Sequence, residues 1–231
     1  MTSERTTERG GGQRRSRSDG ERTRGAILRA AASLATVDGL DGLSIGNLAA
    51  AIGISKSGLY AHFGSKEELQ LATVAEAEQI LRAEVIEPAL AAAPGLAQLA
   101  AVCDAFLSYV RRGVFPGGCF FASTSMEMSG RPGPVRDRLA AIQSEFTALL
   151  RSFAATAIKQ RELPASEDPD RLAFELHAIL LGADSKFLLH DDPAVLDLAQ
   201  RVVHLRLKLD DLDDVGSKRT APAKQRKPRA T

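Results

Sequence analysis

The chain has 231 residues, a formal net charge of +1 at pH 7 and an ordinary hydrophobic fraction of 44%. This length allows one or two domains with a sizeable core, and no apolar run is long enough to cross a membrane. The N-terminus has no apolar signal core, and two cysteines, Cys103 and Cys119, are typical of a reducing compartment rather than of a disulfide framework. We therefore expect a cytoplasmic protein that has no membrane partner.

The N-terminal segment is basic and polar. Residues 1–20 show no apolar periodicity, so we predict a disordered arm, in which Arg14, Arg15 and Arg17 cluster. The arm is either a solvated tail or a segment that contacts phosphates or a minor groove. An amphipathic helix is predicted to follow it, from about residue 21 to residue 37.

Two short helices joined by a glycine are predicted next. Ser44 is a good N-cap for a helix over residues 45–52, and Gly53 ends that helix in a tight turn. Ser55 then caps a second short helix. Helix, glycine turn and short helix are the sequence form of a DNA-binding helix-turn-helix. We therefore predict a helix-turn-helix domain over residues 21–66.

The second of these short helices has one apolar and one polar face. Ile54, Leu59 and Phe63 form the apolar face, which we expect to be buried because so short a helix is unstable alone. The polar face offers hydrogen-bond donors, a cation and a glycine that permits close approach to a groove. With the cap of the preceding helix, the candidate DNA-binding residues are Ser44, Ser55, Lys56, Ser57, Gly58, Tyr60 and His62.

Residues 27–69 read ILRAAASLATVDGLDGLSIGNLAAAIGISKSGLYAHFGSKEEL, and this stretch closely resembles the DNA-binding domain of the TetR family of transcriptional regulators. The resemblance covers roughly a fifth of the chain. It implies that Lys66 contacts a DNA phosphate. Two positions depart from the family pattern, since Ala35 stands where a large aromatic is usual and Leu43 where a threonine is common. The matching residues are Ile27-Leu28, Ala30-Ala31, Gly39, Ser44-Ile45, Leu48-Ala49, Gly53-Ile54-Ser55, Gly58, Leu59-Tyr60, His62-Phe63, Lys66 and Leu69.

Residues 67–214 are predicted to form a larger helical domain. The chain as a whole is therefore expected to be all-α, with a three-helix N-terminal helix-turn-helix domain followed by this ligand-binding and dimerisation domain, and about nine helices in total. Residues 215–231 form a basic tail that we predict to be disordered, either solvated or a source of non-specific DNA affinity. The helices of the larger domain are predicted at 65–92, 96–112, 119–128, 135–162, 170–190 and 194–212.

The last two helices predict a partner. Residues 170–190 and 194–212 carry apolar side chains on more than one face, whereas a surface helix needs only one apolar stripe. We therefore expect a homodimer through these helices, as the family resemblance also implies. The alternative is that both faces are buried within one subunit. A two-fold dimer would present two short helices to a palindrome, which one subunit alone could not bind tightly.

The family resemblance also implies a small-molecule pocket in the middle of the chain. Aromatic and sulfur-containing residues with a few polar groups suit a mostly apolar ligand, although ordinary core packing is the alternative for each of them. The predicted function is a repressor that binds double-stranded operator DNA and is released by such an effector. The candidate ligand-binding residues are Phe106, Tyr109, Cys119, Phe121, Met126, Phe146 and His177.

Other functions have weaker sequence support. The chain has no nucleophile elbow, no phosphate-binding glycine loop and no paired His/Cys spacing, so we expect no enzyme activity, no metal and no cofactor. A thiol-based redox sensor using Cys103 and Cys119 remains open, although buried cysteines more commonly act as small apolar residues. A constitutive architectural DNA binder that relies on the basic termini also remains open.

Overall fold

The computed structural model describes residues 11–209, and the side chains from residue 20 onward. This part of the chain is all-α, as predicted, and contains no strand. A π-helical turn, Arg82–Ile86, and a helical turn, Glu87–Leu90, continue the fourth helix, so nine helices lie in the described range. They are α1 Gly11–Asp38, α2 Ile45–Ile52, α3 Lys56–Tyr60, α4 Lys66–Leu81, α5 Leu96–Arg111, α6 Phe120–Met128, α7 Pro134–Lys159, α8 Pro169–His190 and α9 Ala194–Leu207.

The first helix is longer than predicted. α1 begins at Gly11, so residues 11–20 are helical where we predicted a disordered arm. Arg, Gln and Glu have good helix propensity, and extending an existing helix costs far less than nucleating one. The rest of the predicted arm, residues 1–10, and the predicted basic tail, residues 215–231, lie outside the described residues.

Capping residues define α2 as predicted. The Ser44 hydroxyl accepts a hydrogen bond from the Asn47 N–H at 3.1 Å. Gly53 adopts a left-handed conformation with φ of 71°, and its N–H bonds to the Ala49 carbonyl. The Ile54 N–H bonds to the same carbonyl at 3.1 Å, which closes the end of the helix and turns the chain toward α3.

The first four helices form a small domain. α1 packs against α2 and α4, and α3 packs against α2. The Arg24 guanidinium covers the Phe63 ring, with 4.8 Å between its central carbon and the ring centroid. The buried core of this domain comprises Ile27, Leu28, Ala31, Ala35, Leu40, Leu43, Leu48, Leu59, Phe63 and Leu69.

The π-helical turn in α4 has a local cause. Pro88 lacks an N–H, and its ring would clash with the carbonyl of Glu84 in a regular α-helix. Just before the proline the helix widens, and the Glu87 N–H reaches back to the Arg82 carbonyl. The helix can therefore continue to Leu90.

The larger domain is a bundle built around α7. This helix packs against α4, α5, α6 and α8, while α9 packs against α5 and α8. α9 ends at Leu207, earlier than predicted, because Lys208 takes a left-handed conformation with φ of 57° and bonds to the carbonyls of His204 and Leu205. Within residues 11–209, no helix is long and apolar enough to span a bilayer.

α6 lies at the joint between the two domains. It packs against α1 on one side and against α7 and α8 on the other. The segment before it contacts α1 directly, since the Gly117 N–H donates to the Thr36 hydroxyl at 3.1 Å. α4 also belongs to both domains, because it packs against α1 and α7.

Candidate nucleic-acid interface and ligand cavity

α3 is held by its apolar side and presents its polar side to solvent. Leu59 and Phe63 are buried, as predicted. Ile54 is 38% exposed, so the prediction that it shares their buried face is wrong. Its N–H closes the end of α2 on the Ala49 carbonyl, so Ile54 belongs to the turn before α3. α3 ends at Tyr60, and the N–H groups of residues 62 and 63 close a turn on the Leu59 carbonyl.

The N-terminus of α3 is fixed by its cap. The Ser55 hydroxyl accepts the Gly58 N–H at 3.1 Å and lies 3.2 Å from the Ser57 hydroxyl. The predicted DNA-binding residues all lie on the surface of the helix-turn-helix. Ser44 is partly exposed. The exposed ones are Ser55, Lys56, Ser57, Gly58, Tyr60, His62 and Lys66.

Lys56 and Ser44 both lie next to Gly46, across the helix-turn-helix. A Cβ at this position would lie 3.6 Å from Lys56 Nζ and 3.8 Å from the Ser44 hydroxyl oxygen. The Lys56 side chain therefore lies across the first turn of α2, next to the cap of that helix. Sequence reasoning missed this contact, because it appears only when α2 and α3 are packed together.

The two lysines of this surface differ in their partners. Among the described residues, Lys56 has no ion pair, whereas Lys66 Nζ lies 3.1 Å from Asp41 Oδ1. Asp41 also pairs with Arg131, and the cations of Lys66 and Arg131 hold the pKa of the Asp41 carboxyl below its ordinary value. A phosphate that binds Lys66 would therefore compete with Asp41, for which Arg131 remains as a partner.

The larger domain contains a small internal cavity of about 20 Å³. That volume holds about one water molecule, far less than the roughly 300–1,000 Å³ of a typical ligand pocket. Five of the predicted ligand-binding residues line it: Phe106, Cys119, Phe121, Phe146 and His177.

Gln143, on α7, is a lining residue that sequence reasoning missed. Its Nε2 donates to the Phe121 carbonyl at 3.2 Å and to the Ser125 hydroxyl at 3.3 Å. The sequence did contain a signal for it. Gln143 follows Ile142 and lies three residues before Phe146, so it is predicted at the edge of the apolar stripe of α7, close to the core. It places a fixed amide beside the cavity.

Two predicted ligand-binding residues do not line this cavity. Met126 is 80% exposed, because it lies on the outer face of α6, where it borders a surface groove with α8. Tyr109 is buried, but it packs between the rings of Phe106 and Phe115, with centroids 6.1 and 6.2 Å away. Met126 is therefore a surface residue and Tyr109 a core residue in this conformation.

The cavity adjoins a cleft of about 500 Å³ between α7 and α8, and His177 borders both. His177 Nδ1 lies 3.1 Å from the Thr147 hydroxyl, and burial lowers the pKa of the imidazole below its ordinary value, so it is neutral at pH 7. Arg151 and Asp170 pair at 3.3 Å in the same cleft. The apolar cavity therefore has a polar rim on one side.

The cysteines are poorly placed for redox sensing. Cys103 and Cys119 are both buried and unpaired. Burial raises the pKa of the Cys103 thiol well above its ordinary value and that of Cys119 to about 12. Because the thiolate is the reactive form, these environments disfavour oxidation. In residues 20–209, no group of three or more His, Cys, Asp or Glu side chains is arranged to hold a metal ion.

α8 and α9 leave apolar side chains uncovered. Phe174 is 71% exposed, and the other members of this face are also exposed in the single chain. The alternative that both faces are buried within one subunit is therefore wrong for the described residues. This face comprises Phe174 and Leu189 on α8 and Leu198, Val202 and Leu205 on α9.

Comparison with protein families matches both domains. The model described as bacterial regulatory proteins, tetR family, matches residues 27–73. The model described as tetracyclin repressor-like, C-terminal domain, matches residues 95–203. No curated protein matches the chain significantly.

Solved structures share this fold over most of its length. A TetR transcriptional regulator from Chloroflexus aurantiacus J-10-fl is 29% identical, with a TM-score of 0.77 over 83% of this chain and 96% of that one. A TetR-family regulator from Cytophaga hutchinsonii is 21% identical, with a TM-score of 0.72 over 82% and 95%. AibR, solved with isovaleryl coenzyme A and operator DNA, is 24% identical, with a TM-score of 0.64 over 79% and 97%.

Proposed function

Since the chain belongs to the TetR family of transcriptional regulators, we propose that it is a homodimeric repressor that binds a palindromic operator and is released by a small, mostly apolar ligand. The observation that supports this most directly is the exposed polar face of α3, on which Lys56 has no ion pair with a described residue. Residues 21–66 would be the DNA-binding domain and residues 67–214 the ligand-binding and dimerisation domain. Binding to an operator would place the protein in the cytoplasm.

The DNA-binding face divides into two kinds of contact. Ser57 and Tyr60 on α3, with His62 in the turn that follows it, are short or aromatic groups that would meet base edges and groove walls. Lys56 would reach a base edge or a phosphate. Lys66, at the start of α4, would bind a phosphate after leaving Asp41. Specificity would therefore come from α3, and part of the salt dependence from Lys66.

The first test is selection of a binding site from random duplex DNA by the full-length protein. We expect an inverted repeat that is bound about 1,000-fold or more tightly than random DNA at physiological salt. Lys66→Gln should lower the slope of log affinity against log salt by about 0.9 per phosphate contact, or about 1.8 for a two-fold dimer. Fluorescence anisotropy at a series of salt concentrations measures both quantities.

Lys159→Gln is the matched control, because Lys159 is exposed at the end of α7 in the larger domain. Its salt slope should equal that of the wild type. Selection of no repeat at all, or a salt slope that is the same in wild type and Lys66→Gln, would contradict the proposal.

The ligand would occupy the apolar cavity together with the adjoining α7–α8 cleft. Its apolar part would pack on Phe106, Phe121 and Phe146, and its polar group would lie near Gln143 and His177. The present cavity is too small, so binding requires the surrounding helices to move apart. AibR, a structure of similar fold, was solved in complex with isovaleryl coenzyme A and operator DNA. This supports the proposal that a protein of this fold binds both an acyl ligand and DNA.

The ligand proposal is tested with a panel of medium-chain fatty acids, the corresponding alcohols and aromatic carboxylic acids. At least one class should raise the thermal midpoint and weaken DNA binding by about 5- to 150-fold, the usual range of allosteric coupling. His177→Phe should reduce the response, since it removes the polar rim. His190→Phe makes the same change at an exposed histidine and should respond like the wild type. An equal response in all three proteins would argue against this site.

A further inference from the structure

Glu127, near the end of α6, binds the backbone of the DNA-binding domain. Its Oε2 accepts the Leu40 N–H at 2.7 Å, and its Oε1 accepts the Asp41 N–H at 2.8 Å. Both donors belong to the turn between α1 and α2, residues 39–44, which leads directly into the helix-turn-helix. Hydrogen bonds to a carboxylate are short and stronger than those between neutral groups, and two from one side chain also fix its orientation.

The turn is shaped to receive this carboxylate. Gly39 has φ of 85°, and a Cβ there would lie 2.8 Å from Glu127 Oε1. A side chain at Gly39 would therefore both strain the backbone and displace the carboxylate. Leu40 and Leu43 are buried in the core of the small domain, so the turn cannot move without moving the start of α2.

The same turn is bound from both domains. From the larger domain, Arg131, which follows the end of α6, pairs with Asp41. From α4, which packs against both domains, the Gln70 amide donates to the Leu40 carbonyl at 2.7 Å, and Lys66 pairs with Asp41 at 3.1 Å. The contact is therefore a packed network and not a single surface ion pair.

The other end of α6 is fixed to the rest of the larger domain. The Cys119 N–H donates to Asp184 Oδ1, on α8, at 3.0 Å. α6 therefore runs from a hydrogen bond with α8 at its start to the Glu127 contact at its end. Cys119 and Phe121, at the start of the same helix, also line the internal cavity.

From these contacts we propose that Glu127 is a positioning residue for DNA binding, which sets the orientation of each helix-turn-helix relative to the larger domain. This inference rests on the proposed function, because in a two-fold dimer that orientation fixes the separation of the two α3 helices. Loss of both hydrogen bonds would let each DNA-binding domain adopt a range of orientations. The dimer would then tolerate half-sites at several spacings.

The test varies the spacing between the half-sites. The inverted repeat selected by the wild-type protein is rebuilt with one or two base pairs added to or removed from its centre. Each base pair changes the separation by about 3.4 Å and rotates one half-site by about 35°. We expect the wild type to prefer the selected spacing over its neighbours by about tenfold or more, and Glu127→Ala to prefer it by less than about threefold.

Two further variants separate positioning from structural support. Glu127→Gln keeps one acceptor oxygen, so it should restore part of the spacing preference, and it serves as the test protein if Glu127→Ala does not fold. Glu162→Ala removes a carboxylate that accepts the Leu96 N–H at 2.9 Å within the larger domain. It should keep the wild-type preference.

The outcomes are distinct. A Glu127→Ala protein that binds every spacing more weakly by the same factor would overturn the inference, because Glu127 would then support the fold without setting the spacing. A wild-type protein that shows no preference for an inverted repeat would overturn the proposed function itself. A reduced spacing ratio in Glu127→Ala, with its partial recovery in Glu127→Gln, supports the inference.

Discussion

Asp184 is a carboxylate at a position where burial opposes its charge. It lies on α8, is 2% exposed, and its Oδ1 accepts the Cys119 N–H at 3.0 Å. Burial raises the pKa of this carboxyl from 3.8 to about 6, and the hydrogen bond from Cys119 opposes that shift only in part. The site therefore stabilises the neutral form, and the ionised form at neutral pH costs folding free energy.

Asp184→Asn should stabilise the protein at neutral pH. The folded-state pKa lies above the unfolded value, so wild-type stability falls as the pH rises from about 4 to about 6 and stays low above that. The asparagine can still accept the Cys119 N–H without the charge. At pH 7 its gain is at most about 3 kcal/mol, the free-energy equivalent of the difference between 3.8 and about 6.

Urea unfolding of both proteins between pH 4 and pH 8 checks this expectation. The difference in unfolding free energy should shrink as the pH falls from about 6 to about 4, because the wild-type carboxyl becomes protonated. A variant that is less stable than the wild type at pH 7 would show that the asparagine N–H₂ group lacks a partner, and that this cost exceeds the gain.

Single residues of the candidate sites were predictable to different degrees. The α3 surface followed from a local pattern, because Ser55, Leu59 and Phe63 determine which way a short helix faces. Asp184 was not predictable. It follows an alanine and precedes a serine in a helix with charges on several sides, and its burial comes from the distant segment before α6.

At the scale of helices, caps were the reliable signals. Ser44, Gly53 and Ser65 each mark a helix boundary through a hydrogen bond or a left-handed backbone that depends on nearby residues only. The helical conformation of residues 11–20 was missed, because a polar segment without apolar periodicity carries no pattern that predicts a helix. The widened turn before Pro88 was also missed, because the proline predicts an interruption but not its form.

The cavity shows the limit of periodicity as evidence. Apolar spacing indicated that Phe106, Phe121 and Phe146 face inward, and they do. It could not show that Tyr109 packs between other rings while Met126 faces outward, since both lie on helices with apolar residues on several sides. Which inward residues border empty space depends on the packing of five helices at once, α4 to α8.

At the scale of the whole molecule, the described residues leave an uncovered apolar face on α8 and α9. Five large apolar side chains on two adjacent helices are exposed there: Phe174, Leu189, Leu198, Val202 and Leu205. Several exposed large apolar side chains on two helices that pack together are typical of a protein interface. Pairing of this face with its copy would give a four-helix contact and two α3 helices related by a two-fold axis.

Leu198→Glu should therefore separate the protomers without unfolding them. Leu198 is 55% exposed in the single chain, so a glutamate there remains solvated in a monomer, whereas dimerisation would bury a charge from each copy. Light scattering coupled to size-exclusion chromatography should show a dimer for the wild type and a monomer for the variant. Helix content by circular dichroism should be unchanged.

The same variant should lose the advantage of a complete inverted repeat and bind it no more tightly than a single half-site, because one short helix offers too little surface for tight specific binding. Leu90→Glu is the matched control, since Leu90 is also about half exposed but lies at the end of the α4 extension, away from this face. It should remain a dimer and keep the preference for the repeat. A Leu198→Glu protein that stays dimeric would place the subunit contact elsewhere on the molecule.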